Sequence, residues 1–114
     1  MPKYIFVYLG GDYPTDAVQG KQHFEEYQRW LDSLGRAVIS PAVPFKDTHT
    51  VQRGKAALPG STTMMSGLSI LELPSMKEAI KAAESCPFLK INGVLEISEM
   101  IEMSGDPSTG HKPN

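Results

Sequence analysis

From residue 4 to residue 9 two kinds of side chain alternate. Ile5, Val7 and Leu9 share one side, and Tyr4, Phe6 and Tyr8 share the other. A period of two is that of a β-strand, and apolar residues on both sides mean that both faces are covered. The aliphatic set suits packing against helices. The aromatic set, with its two hydroxyls, suits a second apolar surface with a wet margin. Gly10-Gly11-Asp12 and Pro14 interrupt the pattern, and the period then changes. Phe24, Tyr27, Leu31 and Leu34 recur at three- and four-residue spacing, which predicts a helix over residues 21–34 stopped by Gly35. Trp30 falls off that stripe, so a second surface is expected to cover the helix edge that carries it.

A second strand is expected over residues 36–43, centred on Val38 and Ile39; Pro41 and Pro44 bar a ladder donor at two places, so its far half is expected to be an edge or to leave the sheet. Residues 45–63 are polar, and the Arg53-Gly54 turn between residues 48–52 and 55–58 predicts a small hairpin. A third strand spans residues 66–73. Ser75 and Glu78 form a capping box that opens a second helix, whose stripe is Met76, Ala79, Ile80 and Ala83. Pro87 stops it, Asn92-Gly93 turns the chain, and residues 94–100 form the last strand. Leu95, Ile97 and Ile101 point one way there, and Val94, Glu96, Ser98 and Met100 the other.

The order β-α-β-(hairpin)-β-α-β predicts an α+β, ferredoxin-like fold: a four-stranded antiparallel sheet with two helices on one face. The free face is expected to carry Tyr4, Phe6, Tyr8, Val94 and Met100, too apolar for open water. Packing two such faces about a two-fold axis gives a dimeric α/β barrel, a homodimer burying on the order of 1,600 Å². Residues 1–103 make one domain, and 104–114, rich in Gly, Pro, Ser and Asn, a disordered tail.

Composition narrows the partners. The 114 residues suffice for one core without a metal or disulfide staple. A formal charge of −2 gives no basic face for nucleic acid. The single cysteine forms no internal disulfide. No apolar run is long enough to span a membrane, and the short N-terminal one reads as a strand, not a signal peptide. A cytoplasmic protein is expected. No cofactor is expected either: Gly10-Gly11 lacks the full dinucleotide fingerprint, and Cys86 has no neighbouring Cys or His at zinc-ligand spacing.

The stretch from Gly67 to Ala79, with Cys86-Pro-Phe-Leu and Gly93-Val-Leu-Glu-Ile, resembles the YCII-related (DGPF) family. The helix carrying Tyr27, Trp30 and Leu31 and ending at Leu34-Gly35 is similar too, and the likeness spans most of residues 3–101. The resemblance implies a dimeric α/β barrel. It implies a cleft with a His and an Asp, and activities that include a dehydrochlorinase of chloroaromatic breakdown. The chain departs from the pattern at three places. Leu58-Pro-Gly-Ser stands near where Asp-Gly-Pro-Phe would fall, Cys86 replaces the Asp of the Asp-Pro variant, and Ser98 replaces the Arg of "EVR". His23 matches the family histidine approximately in spacing.

The candidate chemistry is acid–base. His23, early in the first helix, is a residue type that exchanges a proton near neutrality. Its bland alternative is an exposed first-turn histidine. Glu96 on the last strand is expected to face inward, where desolvation raises a carboxyl, or to pair with a lysine or tyrosine. Tyr4 and Tyr8 are candidate hydrogen-bond donors to a ligand, or interface aromatics with wet tips. Ser69 and Ser98 are small polar residues that leave room for a ligand or a partner subunit. Cys86, at a helix C-terminus, reads as packed and inert. His49 and His111 lie in a loop and the tail. Two functions fit: a small-molecule lyase or hydrolase acting on an apolar or aromatic compound with His23 and Glu96 as proton carriers, or a non-catalytic ligand-binding or regulatory module. Convergence of His23 and Glu96 in one pocket distinguishes them.

Overall fold

A computed structural model describes residues 1–101; the expected tail at 104–114, with His111, lies outside the described residues. The elements are β1 (Lys3–Gly10), α1 (Ala17–Leu34), β2 (Val38–Pro44), β3 (His49–Thr50), β4 (Leu58–Pro59), β5 (Met65–Glu72), α2 (Met76–Glu84) and β6 (Gly93–Met100). The main sheet has the order β2-β5-β1-β6 with antiparallel pairing throughout. This is the ferredoxin-like arrangement, with β3 and β4 as a separate small hairpin at the expected place. Among the described residues no helix is long and apolar enough to cross a membrane.

The helices begin and end for local reasons. Asp16 caps α1 by accepting from the backbone N–H of Gln19 at 2.7 Å, so the helix begins at Ala17, four residues before the expected start. Gly20, which punctuates the sequence, is simply tolerated inside the helix. Gly35, at φ +55°, ends it. Ser75 caps α2 through Glu78 N–H. Asn92, left-handed at φ +62°, turns the chain into β6.

The faces of β1 are the reverse of the expectation, whereas Val94 and Met100 of β6 do lie on the helix-free face. Tyr4, Phe6 and Tyr8 lie under the helices with Leu71 and Ser69, and all five are buried. Register carries the assignment across the sheet: Phe6 stands opposite Ile97 and Ser69, and Tyr8 opposite Leu95 and Gly67. The physical reason is volume. The buried side of α2 is Ala79, Ala82 and Ala83. Three alanines leave depth between the layers that aromatic rings fill and aliphatic side chains do not. Met76 and Ile80, expected on that side, are substantially exposed at its margin. Ile5, Val7 and Leu9 occupy the other face, opposite Ser98, Glu96 and Val94 on β6, and opposite Ile70, Leu68 and Met65 on β5.

Trp30 is covered, as its off-stripe position requires. It is 5% exposed, tilts against Phe6 and Tyr27 with ring centroids 6.5 and 5.4 Å away, and donates Nε1–H to the carbonyl of Ala82 at 3.0 Å. Phe24, expected in the core, is 62% exposed. It lies one turn before Tyr27, beyond the buried aromatics.

Candidate functional site

The chain leaves a cleft of about 350 Å³ between α1 and the β2–β5 edge of the sheet. Helical spacing places Gly20, His23, Phe24 and Tyr27 of α1 on it, and the strands supply Tyr8, Ala42, Pro44, Ser66 and Gly67. Phe88 closes one side and meets the ring of Tyr8 at 5.0 Å. Two glycines fix these walls. A Cβ at Gly93 would lie 2.2 Å from the Phe88 ring and 2.7 Å from its carbonyl oxygen, so only glycine admits Phe88 there. A Cβ at Gly67 would lie 2.8 Å from the carbonyl oxygen of Val43. The bare glycine lets β2 approach β5 and keeps the cleft open beside Tyr8.

Three hydroxyls meet at the inner end of the cleft. Tyr8 hydrogen-bonds to both Tyr27 and Ser69, and Tyr27 approaches Ser69 at 3.1 Å. Three O–H groups thus supply three protons to three contacts, and each oxygen keeps acceptor capacity. Burial raises the phenol of Tyr8 well above its ordinary range, opposed in part by its bond to Ser69, and burial also raises Tyr27. Both are therefore neutral near pH 7 and, with their protons engaged within the cluster, offer a ligand an acceptor oxygen but not a base. Their effect on stability has a definite sign. A phenol whose folded pKa lies above the unfolded value of about 10 contributes stability that is intact below pH ~10 and lost as pH rises further. Unfolding free energy measured in urea is expected to fall above pH ~10, less steeply in Tyr8→Phe. Equal slopes in the two proteins would contradict the buried cluster.

His23, half-buried on α1, brings the one imidazole to the lining of this cleft, which carries no carboxylate, lysine or arginine. It also borders a second, more polar cleft of about 420 Å³ beside the 12–15 loop. There Lys90 donates to Glu26 at 2.6 Å, and this bond holds the Glu26 carboxyl below the usual carboxylate range.

The remaining candidates are dispersed. Glu96 stands opposite Val7, exposed, on the face away from the helices, so within the chain it does not meet His23. Ser98, opposite Ile5, shares that outer face. Both lie on the side of β6 expected for them, with Val94 and Met100, but Ile5 and Val7 rather than the tyrosines of β1 share it. Tyr4 is buried under the helices and does not line the cleft. Tyr8 lines the cleft, and Ser69, fully buried, hydrogen-bonds to Tyr8 from behind. Tyr27, Phe24 and Phe88 line the cleft as well, and the sequence reading assigned them to the core or to a corner. Their signal was the adjacency of Phe24 to His23 along the helix. Cys86 is buried, and burial pushes its thiol up to about 11, in keeping with an inert role. His49 contacts Asp47 within the hairpin. Among the described residues no group of three or more His, Cys, Asp or Glu converges as a metal site would require.

No protein-family model matches the chain, and no curated protein matches it. Among solved structures it is similar to the 5-chloro-2-hydroxyhydroquinone dehydrochlorinase of Burkholderia phenoliruptrix in complex with 2,5-dihydroxybenzoquinone. The identity is 16% and the TM-score 0.54, over 89% of this chain and 95% of that one. At this identity the likeness shows the fold: a ferredoxin-like α+β chain with a four-stranded antiparallel sheet under two helices.

Proposed function

We propose that the protein is a small-molecule enzyme whose cleft between α1 and the β2–β5 edge takes an apolar or aromatic compound. His23 carries the proton, and the hydroxyls of Tyr8 and Tyr27, braced by Ser69, orient the ligand. The observation that carries this reading is the convergence of one proton-exchanging side chain, two neutral phenols and two aromatic walls, Phe24 and Phe88, on one cleft. A flat ring fits between such walls, and its polar substituents find partners at the inner end. The similar dehydrochlorinase, an enzyme with a dihydroxybenzoquinone bound, gives the reading support at the level of fold. Membership of the YCII-related family is part of the same proposal, and so is acid–base chemistry of the lyase or hydrolase kind.

A second reading, a non-catalytic binding module, is favoured by the position of Glu96. No carboxylate lines this cleft to pair with His23, and the family aspartate is replaced by Cys86. Both readings require ligand binding. Titration calorimetry with hydroquinone is expected to show binding that Phe24→Ala weakens about threefold to tenfold, the worth of one aromatic contact. Because Phe24 is largely exposed, its removal leaves the melting temperature near the wild-type value. Unchanged affinity in the variant places the ligand elsewhere.

The dimer belongs to the proposal with its faces corrected. Ile5, Val7, Leu9, Leu68, Ile70 and Val94 form the outer sheet face, and two such faces packed together remove that surface from water. Sedimentation equilibrium is expected to give the mass of two chains, and Val7→Lys the mass of one. A monomeric wild type would overturn it.

A further inference from the structure

The two clefts flanking His23 are built on adjacent stripes of one helix. Gly20, His23, Phe24 and Tyr27 follow one another at three- and one-residue steps along the face toward the sheet. Gln19, Gln22, His23 and Glu26 repeat the pattern one position earlier, toward the 12–15 loop. His23 is the position the stripes share, so it forms the common wall of an apolar cleft of about 350 Å³ and a polar one of about 420 Å³.

The polar cleft has its own chemistry. Its walls carry two carboxylates, Asp12 and Glu26, against one lysine, Lys90. One oxygen of Asp12 accepts from Asn92 at 2.6 Å, and one of Glu26 accepts from Lys90 at 2.6 Å. Each carboxylate has a second oxygen that makes no other side-chain hydrogen bond among the described residues, and the formal charges of Asp12, Glu26 and Lys90 sum to −1. An anionic group entering there meets like charge; a donor-bearing or cationic group meets acceptors.

We infer that the ligand is bipartite: a flat apolar body in the cleft of Phe24, Tyr27 and Phe88, joined past His23 to a short arm that ends in hydrogen-bond donors and carries no negative charge. Arylalkylamines are the simplest members of that class. This rests on the reading of the apolar cleft given above and adds the second compartment to it. A compound so placed has its junction, where body meets arm, beside the imidazole of His23, and the polar cleft selects among compounds that the apolar cleft accepts equally.

Three probes with one phenol body separate the two clefts: p-cresol without an arm, tyramine with an ammonium arm, and 3-(4-hydroxyphenyl)propionate with a carboxylate arm. Affinities of the full chain are measured by calorimetry at neutral pH and low salt. Tyramine is expected to bind about tenfold more tightly than p-cresol, as one partly screened ion contact allows. The propionate is expected to bind no more tightly than p-cresol. Glu26→Gln with Asp12→Asn is expected to erase the tyramine advantage and leave p-cresol unchanged, while Phe24→Ala weakens all three alike. Equal affinities for the three probes, a preference for the propionate, or a tyramine advantage that survives the double variant would overturn the second compartment and leave the apolar cleft standing. Failure of all three probes to bind would overturn both.

Discussion

Trp30→Ala is expected to destabilise the protein by about 3–5 kcal/mol, the range for deleting a fully buried large aromatic. Native domains hold about 5–15 kcal/mol in all, so this one change removes a large part of it. The indole packs against Phe6 of the sheet and Tyr27 of its own helix, and it joins α1 to the end of α2 through the Ala82 carbonyl. The loss comes from packing rather than from an orphaned acceptor, because the hydroxyl of Ser85 also donates to the Ala82 carbonyl at 2.9 Å. Trp30→Phe, which keeps most of the ring volume, is therefore expected to cost clearly less than Trp30→Ala. Urea denaturation measures both. Equal losses in the two variants would assign the effect to the hydrogen bond, and a loss below about 1 kcal/mol in Trp30→Ala would contradict its place in the core.

His23→Ala is expected to lower turnover by about 10²–10⁴-fold on a compound that the cleft binds, the contribution of one positioned general acid or base. Affinity is expected to change little, since Phe24, Tyr27 and Phe88 remain in place to form the walls. A fall in kcat with unchanged Kd is the signature of a group acting on the reacting atoms rather than holding the ligand. Matched losses in kcat and affinity would make His23 a binding residue. Unchanged turnover would remove the imidazole from the mechanism and favour the binding-module reading.

The sequence carried the element order well because each boundary rests on local chemistry. Ser75 caps, Asn92-Gly93 turns, and Pro41 and Pro44 keep β2 at an edge, all without reference to the rest of the chain. Alternation in β1 likewise separated Tyr4, Phe6 and Tyr8 from Ile5, Val7 and Leu9. It did not say which set meets the helices, because that depends on the volume left by Ala79, Ala82 and Ala83 of a different element. The error propagated. With the faces of β1 exchanged, Tyr4 and Tyr8 seemed to share a face with Glu96 and Ser98, and Tyr4 became a ligand contact. Register across β1 and β6, which no local pattern encodes, puts Glu96 beside Val7 instead. The site was legible in part. His23 and Tyr8 stand out by residue type, whereas the roles of Phe24 and Phe88 depend on where the helix passes the sheet edge and on the empty space at Gly93 and Gly67.

The most direct measurement is a ¹H–¹⁵N NMR titration of the assigned protein with hydroquinone. Saturable shifts are expected at the amides of His23, Phe24, Tyr27, Ser66, Gly67 and Phe88, which line the cleft on three separate elements. Shifts concentrated instead at Val7, Glu96 and Ser98 on the outer sheet face, or no saturable shifts at all, would contradict the cleft as the ligand site.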